Sequence, residues 1–208
     1  MELQKTRGIV LRELPLGEAD KLLIVFSDTN GRISVSAKGA KKPGSRFIAA
    51  SQLFAYSEME LIKGKSMYIL RNAEMLESFF NLRNDFDPLT AASNVARLAS
   101  RVIQEELPDR ETLRLVLKTL ALLDKGGRDP ALIASIFALR LLKVQGMLSS
   151  LSDLELPDTD SLKAGTLAAF DYVCTAADEK LFAFSVSDEV KAEFSQLAEI
   201  LTPKNFEL

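Results

Sequence analysis

Four cations, Lys38, Lys41, Lys42 and Arg46, crowd the second half of the run Arg32 to Phe47, RISVSAKGAKKPGSRF. No acidic residue occurs between Asp28 and Glu58, so these charges have no local partner. The chemistry open to such a group is electrostatic. A cationic loop followed by Phe47 suits a phosphate backbone with a base stacking beside it. The competing reading is a loop charged for solvation alone. Phe54, Tyr56 and Tyr68 lie on or beside the basic strands and are further stacking candidates, or core if they point inward. No base-reading pattern is visible, so sequence-independent binding is the expectation.

Other chemistries are closed off by composition. The chain has no histidine and one cysteine, Cys174. Ser-His, Cys-His and His-metal sites are therefore excluded, as are zinc ribbons and fingers. Cys174, within AAFDYVCTAA, reads as a small buried thiol on a helix. Gly39 to Arg46, GAKKPGSR, approaches a phosphate-binding P-loop, but Ser45-Arg46 stands where Lys and Ser or Thr should be. Its proline also removes an amide donor. The paired carboxylates Glu105-Glu106, and Glu58 with Glu60, read as solvated faces. No enzyme is expected, and no cofactor.

The basic loop must be positioned by strands. Ile33, Val35 and Ala37 alternate with Arg32, Ser34 and Ser36, giving one apolar face. Strands are predicted over Lys5–Leu14, Lys21–Ser27, Arg32–Lys38, Phe54–Lys63 and Met67–Leu76. Asn30-Gly31 is a hairpin signal between the second and third. Five short strands without a long helix predict a small barrel, the oligonucleotide-binding (OB) fold being the candidate. From about Asn81 the periodicity becomes helical. Asp87-Pro88, Pro108-Asp109, Asp129-Pro130 and Ser187 read as helix starts, and Gly126-Gly127 and Gly146 as ends. A further helix is predicted over Leu162–Thr175, and a surface loop over Ser149–Asp160. The fold class is α+β: an OB barrel at 1–80, then an all-helical domain at 81–208.

Length and charge agree with this division. The chain has 208 residues, 47% hydrophobic and 26% charged, which permits one large or two small domains. Residues 1–80 hold 12 basic and 9 acidic residues, a net of +3. The whole chain is −3, which leaves −6 for the rest, so any polyanion contact is expected in the first part. No apolar run reaches the roughly 18 residues needed to span a bilayer, and MELQKTRGIV lacks a signal core. With a lone cysteine, a reducing cytoplasm is expected and no membrane.

The segment TRGIVLRELPLGEADKLLIVFSDTNGRISVSAKGAKKPGSRF, residues 6–47, resembles the opening of the RecO family of DNA repair and recombination mediators. The similarity continues through AEMLESFFNLRND and DEKLFAFSVSDEVKAEFSQLAEI. The resemblance implies an N-terminal OB domain, a helical C-terminal domain, binding of single- and double-stranded DNA, and annealing of complementary strands. It implies RecR and the single-stranded DNA-binding protein as partners, and help in loading RecA. One departure is plain: many members carry a four-cysteine zinc site where this chain has the cysteine-free stretch SSLSDLELPDTD. The resemblance is therefore to a variant without zinc.

The expected DNA-binding set is Lys38, Lys41, Lys42 and Arg46, with Phe47, helped by Arg7, Arg32, Lys63 and Lys65. Arg97, Arg101, Lys118, Arg128, Arg140 and Lys143 are candidates to edge a pocket for the acidic, apolar-ended tail of the single-stranded DNA-binding protein. The alternative is a protein-interaction adaptor without direct DNA contact, consistent with the net negative charge and the acidic helical part.

Overall fold

The computed structural model describes residues 2–148 and 162–202. The Ser149–Asp160 stretch lies outside the described residues. Five strands come first: β1 (Leu3–Leu16), β2 (Asp20–Ser27), β3 (Gly31–Ala37), β4 (Tyr56–Lys63) and β5 (Tyr68–Glu77). They close into a barrel in the order β1-β2-β3-β5-β4, with β1 pairing back to β4. Every pairing is antiparallel except β3 with β5. This is the OB strand order, so both halves of the expected fold class, barrel then helices, are present.

Alternation decides which side chains fill the barrel. Val25 faces Ile33 and Leu23 faces Val35 across β2–β3. All four belong to one buried cluster with Val10, Ala37, Met59, Leu61, Tyr68 and Leu70. Burying each such aliphatic side chain is worth about 1.5–3 kcal/mol. The hairpin between β2 and β3 is held by hydroxyls. Thr6 Oγ1 and Ser27 Oγ share a 2.6 Å hydrogen bond, and Asp28 Oδ1 accepts from Thr6 Oγ1 at 2.8 Å and Arg7 N–H at 3.0 Å.

Contacts divide the chain into two compact units. Residues 1–80 and 99–113 form the first, and residues 81–98 and 114–208 the second. Residues 99–113 look helical or connecting in sequence, yet they pack with the strands. Such long-range packing leaves no periodic trace.

Among the described residues a 3-10 turn (Phe80–Arg83) and five α-helices follow the strands: α1 (Phe86–Val102), α2 (Arg110–Lys125), α3 (Pro130–Val144), α4 (Ala164–Thr175) and α5 (Asp188–Leu201). α1 begins two residues before the expected Asp87-Pro88 start. Asp85 Oδ1 accepts the Asp87 N–H at 3.4 Å, and Pro88 sits in the first turn, where a missing N–H leaves no bond unmade. The starts at Asp109, Asp129 and Ser187 fall where the sequence places them, and α4 begins two residues after the expected Leu162. Asp109 Oδ1 accepts from Thr112 N–H at 2.9 Å, and Ser187 Oγ from Val190 N–H at 3.4 Å. Gly126 (φ +70°) ends α2 in the left-handed conformation that favours glycine. α3 is apolar nearly all round, with Ile133, Ile136, Phe137, Leu139 and Leu141 buried, and packs against α4 and α5. Among the described residues no helix is long and apolar enough to cross a membrane.

Asp129 closes the start of α3 twice, accepting from Ala131 N–H at 3.0 Å and Leu132 N–H at 3.2 Å. Asp129→Ala leaves both donors without a protein partner. The expected loss is about 1–2 kcal/mol, read as a lower midpoint in urea with an unchanged slope. Asp129→Asn is expected to retain most of the stability.

Candidate nucleic-acid interface

β3 sets the frame. Its seven residues span roughly 20 Å, and the expected DNA-binding residues divide between its two ends.

At the C-terminal end the chain turns into the cationic loop. Gly39 adopts φ +69°, and its N–H donates to Asp20 Oδ1 at 2.7 Å. Lys41 N–H donates to Ala19 O at 2.9 Å, and Lys42 N–H to Gly39 O at 3.0 Å. The loop backbone is thus tied to the β1–β2 turn, which fixes where its side chains start. Lys38, Lys41, Lys42 and Arg46 are all exposed. Lys41 Nζ donates to Gly17 O at 3.1 Å, and Arg46 Nη2 to Arg71 O at 2.5 Å. Among the described residues none of the four pairs with a carboxylate.

Phe47 does not stand beside them as a stacking platform. It is 7% exposed and belongs to the barrel cluster. The Arg46 guanidinium covers its ring at 4.8 Å from the centroid. The expected base-stacking role for Phe47 is therefore corrected: its apolar surface is worth more inside the barrel, and no open ring face remains. Phe54 and Tyr68 are buried too, and only Tyr56 keeps a half-exposed ring.

The sequence reading passed over Arg71. The parallel pairing of Val35 with Tyr68 and Ser36 with Ile69 brings β5 forward beside the end of β3. Exposed Arg71 then lies next to Arg46. The signal was available only through the OB strand order, which makes β3 and β5 neighbours.

The other end of β3 is arranged differently. Arg32 Nη2 meets Glu105 Oε1 at 3.2 Å, and its Nη1 donates to Ser100 O at 2.9 Å. Lys63 Nζ meets Glu106 Oε1 at 2.7 Å and lies 5.9 Å from the Tyr68 ring centroid. The Glu106 hydrogen bond holds the Lys63 ammonium above the usual lysine range. Arg7 Nε meets Glu58 Oε2 at 3.2 Å. Lys65 is exposed, with no carboxylate partner among the described residues. Arg7, Arg32 and Lys63 are thus neutralised locally, whereas the loop cations are not. The carboxylates read as solvated faces are their partners.

In the second unit, three cations suggested for the edge of a protein-tail pocket are turned to backbone carbonyls. Arg140 donates to Val173 O at 3.1 Å, Cys174 O at 3.3 Å and Asp178 Oδ1 at 3.0 Å, with its side chain only 12% exposed. Lys118 donates to Asp178 O and Arg128 to Phe182 O. Arg97 is exposed, and Lys143 is half-buried. Arg101 is half-buried in the first unit. Cys174 is half-buried, and burial pushes its thiol up, against nucleophilic use at neutral pH. Among the described residues no cluster of three or more acidic or cysteine side chains could hold a metal ion.

The comparisons with known proteins cover both units. The family model described as "Recombination protein O N terminal" matches residues 1–79, and "Recombination protein O C terminal" matches residues 83–154. A protein of Acetivibrio thermocellus named DNA repair protein RecO is 34% identical over 227 residues, covering 96% of this chain and 90% of that relative. Proteins of the same name from Clostridium novyi and Bacillus subtilis are 34% and 35% identical, over 70% and 72% of this chain. In those two the match spans only 57% and 58% of the relative's length. With an OB barrel, a helical region and matches across both, the chain belongs to the recombination protein O (RecO) family.

Proposed function

We propose that this chain is a non-enzymatic DNA repair and recombination mediator that binds single- and double-stranded DNA and anneals complementary strands. One observation carries the reading: Lys38, Lys41, Lys42 and Arg46 stand exposed on a tethered loop without carboxylate partners among the described residues. Family membership and the DNA repair name of the relatives support it. Cations held at fixed origins attract phosphates whatever the base, so binding is driven by counterion release. Two strands on one such surface lose much of their mutual repulsion and can pair without ATP. The helical unit would carry the protein contacts: RecR and the single-stranded DNA-binding protein, whose coated strands the mediator prepares for RecA. The site of action is the cytoplasm.

The test is annealing of complementary oligonucleotides by the purified chain, without nucleotide triphosphate, at two salt concentrations. The expected result is acceleration over the spontaneous rate that fades as salt rises. A protein-interaction adaptor would leave the rate unchanged at both.

A further inference from the structure

Gln104 to Leu107 run as a strap across the start of β3. Arg32 N–H donates to Gln104 O at 3.1 Å, and Glu105 bridges to Gly31 and Arg32. The strap lies so close that a Cβ added to Gly31 would stand 2.2 Å from Leu107 O and 2.6 Å from Gln104 O. Glu106 is held at φ +57°, in the left-handed region a glutamate rarely adopts. That conformation sets the neighbouring carboxylates on two different cations, Glu105 on Arg32 and Glu106 on Lys63. Between strap and barrel lies a cleft of about 150 Å³, lined by Arg32, Lys63, Lys65, Tyr68 and the two glutamates.

We propose that the Arg32–Lys63–Lys65 corner is a second phosphodiester-binding site of the barrel, held closed by the Glu105-Glu106 strap, whose carboxylates occupy the positions of backbone phosphates. This inference rests on the DNA-binding reading above and adds a gate to it. The geometry favours exchange over permanent closure. The Glu105 and Glu106 side chains are 69% and 60% exposed, and ion pairs this open shift an equilibrium by no more than about fivefold each. A polyanion already anchored on the Lys38–Arg46 loop can therefore displace them. The strap backbone stays on β3 through Gln104 O while the two side chains swing away, so opening needs rotamer changes and no unfolding. The strap thus attenuates weak, single-ended encounters and yields to a strand long enough to reach from one end of β3 to the other.

The experiment compares the full chain with Glu105→Gln/Glu106→Gln, titrating labelled oligothymidylate by anisotropy over a range of salt. Glutamine preserves shape and removes charge. The expected result is binding tightened roughly five- to twentyfold at low salt, with the slope of log affinity against log salt steepened by about 1.4, as two further cations engage phosphates. Adding Arg32→Gln/Lys63→Gln, which removes the two cations the glutamates held, should abolish the gain. Glu179→Gln/Glu199→Gln, an equal change of net charge in the second unit, should not reproduce it. An unchanged affinity and slope in Glu105→Gln/Glu106→Gln overturns the gate, as does a gain that survives loss of Arg32 and Lys63 or appears in the control. Should the unaltered chain bind with normal salt dependence while the glutamine pair changes nothing, only the gate fails. Should neither protein bind, the DNA-binding reading fails with it.

Discussion

Replacing Lys41, Lys42 and Arg46 together by alanine is expected to weaken binding of single-stranded DNA by roughly several hundredfold at about 50 mM salt. The argument is one of counting. Each phosphate neutralised on a single strand contributes about 0.7 to the slope of log affinity against log salt, so three lost contacts flatten it by roughly 2. Extrapolated down from about 1 M, where this contribution vanishes, that slope gives a loss of two to three decades at low salt. The same variant should differ little from the parent near 1 M. Loop geometry survives the substitutions, because the tethers are backbone atoms: Gly39 N–H on Asp20 and Lys41 N–H on Ala19. Only Lys41 to Gly17 and Arg46 to Arg71 are lost as side-chain bonds. A salt slope equal to that of the unaltered chain would show that the loop does not hold phosphates.

What the sequence disclosed and what it hid follow from the range of the interactions involved. The strands were legible because alternation is local: Ile33, Val35 and Ala37 had to share a face, and they fill the barrel. The helix limits at Asp109, Gly126, Asp129 and Ser187 were legible because caps act within a turn. Phe47 was misread for the same reason. The stretch 38–55 has no periodicity, so nothing local said whether the ring beside Arg46 faced water or the barrel. The pairing of Arg32 with Glu105 and Lys63 with Glu106 joins residues 73 and 43 apart in sequence. A local reading sees Glu105-Glu106 only as a charged, solvated pair. Cationic character was therefore readable residue by residue, but which cations remain free was not, since that depends on where distant carboxylates are folded. The loop cations and Arg71 owe their proximity to β3–β5 pairing, a property of topology.

Gly31→Ala is the single substitution expected to damage the first unit most, relative to its size. Two penalties combine. Gly31 adopts φ +62°, where an L side chain costs about 1–2 kcal/mol. The new methyl would also meet backbone, at 2.2 Å from Leu107 O and 2.6 Å from Gln104 O, with no flexible side chain to yield. The strap must move off β3, breaking the Arg32 N–H to Gln104 O bond and drawing Glu105 and Glu106 from their partners. A total near 3–4 kcal/mol is expected, lowering the melting temperature by roughly 10 °C for a chain of this length. Gly44→Ala separates the two penalties. Gly44 has φ +75° but nothing within 4 Å of an added Cβ, so it carries the conformational cost alone. Gly31→Ala should therefore exceed Gly44→Ala by about 2 kcal/mol in urea unfolding. At temperatures where it remains folded, it should also show the steeper salt dependence of Glu105→Gln/Glu106→Gln, because both changes release the same two cations. Equal losses in the two glycine variants would mean that the strap does not bear on Gly31, and the close approach that holds the glutamates over Arg32 and Lys63 would have to be abandoned.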